Sequence, residues 1–488
     1  MKPQACELLI RGGTVIDGTG AARRAADVAV DGDRIAAVGR LDGVRAEREI
    51  DASGLVVSPG FVDVHTHDDR AVLSDPGMAC KVSQGVTTVV AGNCGVSLAP
   101  LHGREPPPPL NLLGGTDWYR FPTFAAYREE LEGSPPALNV AMQVGHTALR
   151  AQVMDGLDRA ATGREIERMV ELADEGMRAG CIGFSTGLAY PPARAAPTEE
   201  VLAIAHRVAA RGGMHSTHMR DEEGGVLDSI RETARIGREA GIGIVISHHK
   251  CAGRENWGRT RETLALIAEA QETQSLDLDV YPYVAGSTVL LMEIVARSEK
   301  VLVSWSEPHP EVAGRPLEEV AREWGCGVEE AVARLQPAGG IYFMMDEDDL
   351  ARILEFPGAM IGSDGLPHDV FPHPRLWGTF PRVLGHYSRD RGLIGLEDAV
   401  HRMTGKPAAV FGLAGRGEVR PGAWADLVLF DPDGIIDAAT FEDPARPAAG
   451  IRSVFVNGRE VWALGAAVAS PGPGPGRLLR RTPAQGRA

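Results

Sequence analysis

Two histidines one residue apart, His65 and His67, close an apolar run that includes Val56, Val57, Phe61, Val62 and Val64. In an extended strand residues i and i+2 share a face, so the two imidazoles are presented side by side. One such histidine alone reads as a core or solvent-facing residue; a pair followed by Asp68 and Asp69 is of metal-ligand type. Four more residues of that type share the same address. Cys94 lies in Gly92-Asn93-Cys94-Gly95 just past the strand-like residues 87–91, His218 follows residues 213–217, His248 follows 243–246, and Asp364 follows 359–361. One βα repeat separates His218 from His248, which puts them on neighbouring strand ends. Imidazoles, a carboxylate and one thiolate suit zinc better than magnesium or calcium, which take oxygen ligands. Asp364, beside such an ion, is placed to take a proton from water and return it to a leaving amine. A lone cysteine is usually core filler and a Ser-Asp-Gly can be a plain loop cap, so Cys94 and Asp364 stand on their shared position with the histidines.

Bringing six such groups together requires a scaffold that gathers strand ends. Strand-like segments at 56–67, 87–91, 139–144, 181–184, 213–217, 243–246, 276–280 and 359–361 alternate with helix-like stretches at 162–179, 198–210, 226–240 and 260–274. That is the βα rhythm of a parallel sheet. Eight strands fit an α/β fold of the (β/α)8 TIM-barrel type, whose catalytic groups sit at the C-terminal strand ends. Both ends of the chain instead carry short alternating strands with Gly-Gly, Asp-Gly and Asn-Gly turns. Residues 1–60 and 415–468 are therefore expected to form one small β-sandwich domain, and residues 61–414 the metal-dependent barrel. The stretch between Tyr283 and Gly362 far exceeds one βα connection. It predicts an inserted lid subdomain at about 286–345, with Trp305-Ser306-Glu307-Pro308-His309-Pro310 and a helix at 317–335. The Pro- and Gly-rich tail, 469–488, reads as disordered.

The 488 residues carry a net charge of −16, which argues against a nucleic-acid surface, since such surfaces neutralise phosphates with Lys and Arg. No apolar run reaches the length of a membrane span, and the N-terminus reads straight into a strand rather than as a signal peptide. The six cysteines are dispersed without C-x-x-C spacing, as in a reduced, cytoplasmic protein. Five of them read as core filler, Cys94 being the exception.

The H-x-H after the first barrel strand, single histidines after the fifth and sixth and an aspartate after the eighth resemble the amidohydrolase superfamily. Leu8-Leu9-Ile10-Arg11-Gly12-Gly13-Thr14-Val15-Ile16-Asp17 and Pro421-Gly422-Ala423-Trp424-Ala425-Asp426-Leu427-Val428 extend the likeness to the terminal β domain. Within that superfamily the chain resembles the D-aminoacylases, the N-acyl-D-amino-acid deacylases. The segments that carry this are Gly92-Asn93-Cys94-Gly95, Val144-Gly145-His146-Thr147, Gly183-Phe184-Ser185-Thr186-Gly187-Leu188, Ser247-His248-His249-Lys250, Tyr281-Pro282-Tyr283 and the Trp305–Pro310 motif. Many superfamily members bridge two metals with a modified lysine on strand four, and strand four here has no lysine. The resemblance implies that Cys94 takes the bridging role, with one tight zinc held by Cys94, His218 and His248. The side formed by His65, His67 and Asp364 is then weakly occupied or empty.

An N-acyl amino acid carries a free α-carboxylate, which calls for cationic and hydroxyl donors. Lys250, on the same face as His248 if the strand continues, is the first choice; Arg375 and Tyr281 follow, and the resemblance supports all three. Ser287 opens a segment, 287–294, that contains no Lys or Arg. A neutral or apolar substrate side chain is therefore expected, with Ser287 as a further substrate contact. The resemblance adds Tyr190 and Tyr342 as pocket walls, and preference for the D-enantiomer rests on it alone. The expected reaction is attack of metal-bound hydroxide on the amide carbonyl of a small-molecule N-acyl-D-amino acid, with Asp364 as general base and then acid. Two other readings stand beside it: hydrolysis of a cyclic amide or isoaspartyl dipeptide, and a non-catalytic scaffold of the same fold. The absent strand-four lysine counts against cyclic amides, and the complete ligand set counts against the scaffold.

Overall fold

The structure is a computed structural model, and it describes residues 3–468 and 472–482. Eight parallel strands form the barrel: Phe61–Asp63, Val86–Ala91, Asn139–Gly145, Gly183–Gly187, Met214–His218, Gly243–Ile246, Leu276–Val280 and Ala359–Ile361. Each strand pairs with the next in chain order, but the first and eighth share no ladder. The seam between them is crossed by Asp364 N donating to His65 O at 2.8 Å and by a single bridge between Thr66 and Gly365. Helices cover the outside. The one over Gly163–Ala179 shows why they form: Thr162 and Glu165 make a capping box, and Gly180 closes the helix at φ 118°. Gly176 on its inner face lets it lie close to the sheet, since a Cβ there would meet Val144 Cγ2 at 2.6 Å.

Both ends of the chain build one nine-stranded sheet. Val56–Pro59 joins them, running parallel to Thr14 and Val15 and antiparallel to Leu427–Phe430. The strand expected over 56–67 is thus two strands in two sheets. The break falls at Gly60, where a Cβ would lie 2.1 Å from Thr87 Oγ1, and where Gly60 N donates to Asp426 O. His65 and His67 accordingly stand beyond the last residue of their strand rather than within it.

The insertion has its own three-stranded antiparallel sheet, with Ala338–Phe343 between Ala285–Val289 and Lys300–Ser306. The helix expected at 317–335 is two helices, Leu317–Glu323 and Val328–Leu335, split around Gly325 at φ 63°. The tail expected to be disordered is, over residues 472–482, laid against the bottom of the barrel. Val140 N donates to Arg477 O at 2.9 Å, Leu479 N donates to Val140 O at 2.7 Å, and Arg481 donates to Gly212 O and Val410 O. Its Pro and Gly content excludes a helix, yet an extended chain can still satisfy its polar groups on a neighbouring strand. The rest of that tail, 469–471 and 483–488, lies outside the described residues. Among the described residues no helix is long and apolar enough to cross a membrane, and the six cysteines are free.

One buried ion cluster ties the third and fourth βα units together. Arg150 Nη1 reaches both Glu200 oxygens at 2.6 and 2.8 Å, and His146 Nε2 reaches Oε1 at 2.9 Å. Burial pushes the Glu200 carboxyl up, but His146 and Arg150 outweigh it and hold the group at about 2. An unfolded glutamate titrates near ~4.3, so this cluster stabilises fully above that pH and its contribution is lost as pH falls toward the folded value. Glu200→Gln should destabilise by about 3–5 kcal/mol near neutrality, because it leaves Arg150 buried without its counter-charge. In denaturant unfolding the gap to wild type should narrow steadily below about pH 4; a gap independent of pH would remove Glu200 from this role.

Candidate metal centre

The ends of five barrel strands bring the six metal-type residues into two groups sharing one atom. His65, His67, Cys94 and Asp364 form one, and Cys94, His218 and His248 the other; within each, the ligand atoms lie within 4.8 Å of one another. Cys94 Sγ is 3.2 Å from His65 Nε2 and 3.4 Å from His248 Nε2. Asp364 Oδ1 is 3.3 Å from His65 Nε2 and 3.2 Å from His67 Nε2.

Local backbone geometry aims these groups. Cys94, His248 and Asp364 all have positive φ, at 53°, 35° and 50°. Non-glycine residues adopt that region at a cost, and such cost concentrates at functional sites. The glycines around Cys94 explain how its loop gets close: a Cβ on Gly92 would sit 2.2 Å from Gln143 O, and one on Gly95 would sit 2.6 Å from Thr147 Oγ1.

The donor set fits a thiophilic ion. Burial opposes the Cys94 thiolate, but His65 and His248 outweigh it and hold the thiol well below its ordinary value. Burial likewise opposes the Asp364 carboxylate, yet Arg375 and His65 keep it well below the usual range. His67 is raised to about 9 against the effect of burial, by Asp364 and Cys94. Three buried imidazoles around a thiolate and a carboxylate are an anionic nest in which an ion takes the place of imidazolium protons. His67 Nδ1 and His218 Nδ1 are buried and, among the described residues, without hydrogen-bond partners.

Two carboxylates that the sequence did not single out hold the ligands from behind. Asp279 Oδ1 lies 3.2 Å from His65 Nδ1 and accepts from His248 N at 2.8 Å. Glu222 lies 3.0 Å from His248 Nδ1 and 2.8 Å from Lys250 Nζ. Such partners fix the tautomer and orientation of a ligating imidazole. Asp279 left a signal, since Leu276-Asp277-Leu278-Asp279-Val280 puts two acids in a strand that should be apolar. Glu222 left none, because Asp221-Glu222-Glu223 reads as a solvated acidic loop.

The residues expected to bind substrate fall at different distances from the centre. Lys250, Tyr281, Ser287, Tyr190, Tyr342 and Asp364 line one cavity of about 600 Å³. Tyr190 lies against His218, ring centroids 4.9 Å apart, and its hydroxyl meets Thr288 Oγ1 at 3.0 Å. Tyr342 donates to Val289 O and accepts from Leu291 N, so its hydroxyl is committed to the inserted sheet. Arg375 stands against two of these lining residues, Asp364 and Tyr281. It lies fully buried, with Nη1 2.9 Å from Asp364 Oδ2, Nη2 donating to Ser287 O, and the guanidinium over the Tyr281 ring at 4.5 Å. Cys94 belongs to an apolar collar with Leu112, Tyr190, Val289 and Leu366, and Trp305, from the inserted segment, packs against this cluster.

The chain matches the model of the amidohydrolase family over residues 48–288 and 329–462. It is 55% identical to the D-aminoacylase of Alcaligenes xylosoxydans xylosoxydans over 481 residues, 99% of each chain. A solved D-aminoacylase, described for one-metal activation and second-metal attenuation at its binuclear centre, superposes with a TM-score of 0.95 at 55% identity, covering 98% of this chain and 100% of that one. The N-acyl-D-glutamate deacylase of Bordetella bronchiseptica, solved with zinc and a phosphonate mimic of the tetrahedral intermediate, superposes at 0.93 with 46% identity, again over 98% and 100%.

Proposed function

Since the chain belongs to the amidohydrolase family, and within it to the D-aminoacylases, we propose that this amide-hydrolysing enzyme converts N-acyl-D-amino acids to a carboxylate and the free D-amino acid. The observation that carries the reading is Cys94 Sγ set between two ligand groups, with Asp364 facing the cavity that also holds Lys250. A thiolate with two imidazoles favours zinc, so Cys94, His218 and His248 hold the tight ion. His65, His67 and Asp364 form the weaker side, because Arg375 already neutralises one Asp364 oxygen. When bound, zinc supplies Lewis acidity toward the acyl carbonyl and water.

The chain's own residues do the rest. Asp364 Oδ1 receives the proton of the attacking water and later delivers it to the departing amine. Arg375 keeps that carboxylate ionised through Oδ2 and, with Tyr281, backs the place where the substrate carboxylate lies. Lys250 Nζ, held at the cavity wall by Glu222 and by Nδ1 and O of His248, is a donor to that carboxylate. The collar around Trp305 keeps bulk water from the thiolate. Leu112, Leu291, Ile294, Met344 and Leu366 line the remaining space, and two of its cations, Arg194 and Arg297, are paired with Glu293 and Glu223. A neutral or apolar substrate side chain follows.

A panel of N-acetyl-D- and N-acetyl-L-amino acids beside a hydantoin, assayed with zinc-loaded protein, tests this. Turnover confined to the D-series and strongest for apolar side chains is expected; preferred turnover of the cyclic amide or the L-series would overturn it. Lys250→Met should raise KM about 10- to 100-fold, the worth of a lost charge-assisted hydrogen bond. An unchanged KM would remove Lys250 from carboxylate recognition.

A further inference from the structure

The barrel lacks a ladder between its first and eighth strands, and one ligand group is divided between the segments that follow them: His65 and His67 after the first, Asp364 after the eighth. Backbone pairing between them is limited to Asp364 N donating to His65 O and the bridge of Thr66 to Gly365, where neighbouring strands elsewhere in the sheet share a ladder. A buried cation stands at this gap. Lys81, on the short helix Ala79–Val82, is fully excluded from solvent. Its Nζ lies 2.8 Å from Asp63 Oδ2, 2.7 Å from Ser363 Oγ and 3.4 Å from Asp68 Oδ2. Each partner adjoins a residue of the site: Asp63 precedes His65 by two, Asp68 follows His67, and Ser363 precedes Asp364. Asp63 completes the crossing by accepting from Ser363 N through Oδ1 at 2.8 Å. Gly365 closes over the ammonium, for a Cβ there would lie 3.3 Å from Lys81 Nζ.

We propose that Lys81 is a positioning residue for the hydrolysis: it joins Asp63, Asp68 and Ser363 across the open seam and so sets where Asp364 stands relative to His65 and His67. This rests on Asp364 as the proton carrier. An ordinary buried ion pair would stabilise the fold and nothing more. Here the cation spans the one interval of the barrel that has no ladder, where the backbone link is a single hydrogen bond and an isolated bridge, and a shift of about 1 Å at a reacting group costs on the order of 100-fold in rate.

Lys81→Met and Ser363→Ala separate the two roles. Turnover is expressed per bound zinc, with zinc content, unfolding midpoint and, in cobalt-loaded protein, the thiolate-to-cobalt absorption band measured alongside. Lys81→Met should lose about 100-fold and Ser363→Ala about 10-fold in kcat per zinc, with KM within about threefold of wild type. Zinc content and the cobalt band should match wild type in both. Turnover per zinc within about twofold of wild type in both variants would overturn the proposal, whatever happens to stability or yield. If Lys81→Met does not fold, Ser363→Ala decides alone, since it keeps the Lys81–Asp63 pair. Absence of the cobalt band in wild-type protein would count against Cys94 as a ligand and leave the Lys81 result to be read on its own.

Discussion

Asp364→Asn should retain its tight zinc and lose about 10³- to 10⁴-fold in kcat, the range that a positioned general base and acid supplies. The substitution is nearly isosteric, so the positive-φ turn at Asp364 and its backbone bond to His65 O should survive. What disappears is the charge that Oδ1 presents 3.2 Å from His67 Nε2 and 3.3 Å from His65 Nε2. An amide can accept a hydrogen bond there but cannot take up the proton of water. Arg375 would then face an amide at 2.9 Å rather than a carboxylate, which leaves a buried guanidinium without its counter-charge. KM should change much less than kcat, because Lys250 and the apolar wall lie apart from Asp364. Activity near that of wild type would transfer the proton to another group and end this assignment.

Cys94→Ser should lose zinc on dialysis and, with it, at least about 10³-fold in activity. The two ligand groups have only Sγ in common, so one substitution depletes both. Serine matches the thiol in shape, but its hydroxyl stays protonated near neutrality and is a poor ligand for zinc. Wild-type Cys94 differs because His65 and His248 hold its thiol well below the ordinary value in spite of burial. The positive φ of Cys94 and the glycines beside it are what bring the sulfur to this point, and they would be retained. A serine variant that held its full zinc complement would return Cys94 to core filler.

The barrel was legible because its βα rhythm is long and regular, and because metal-type residues recur just past one strand after another. The point at which one strand ended and another began was less so. Val56, Val57, Phe61 and Val62 read as one apolar run interrupted by Ser58-Pro59-Gly60, and the change of sheet falls at that Pro-Gly, where Gly60 lies close to Thr87. The inserted sheet escaped notice because Ala338–Phe343 contains two glycines and reads as a loop. At the site, residue type and spacing pointed to the atoms that meet the ion, since those must recur at strand ends. The carboxylates behind them carry no such spacing. Asp279 reaches His65 from the seventh strand and Glu222 reaches His248 from a loop, and each pairing is made only by tertiary structure. Arg375 is similar: its type suggested a substrate anchor, and its contacts with Asp364 and Ser287 O come only with the fold.

X-ray absorption at the zinc edge, on protein loaded with one equivalent of the metal, tests the thiolate-centred site most directly. A first shell of one sulfur at about 2.3 Å with nitrogen or oxygen neighbours at about 2.0–2.1 Å is the expected result. A shell of nitrogen and oxygen alone would place the metal away from Cys94 and contradict the account.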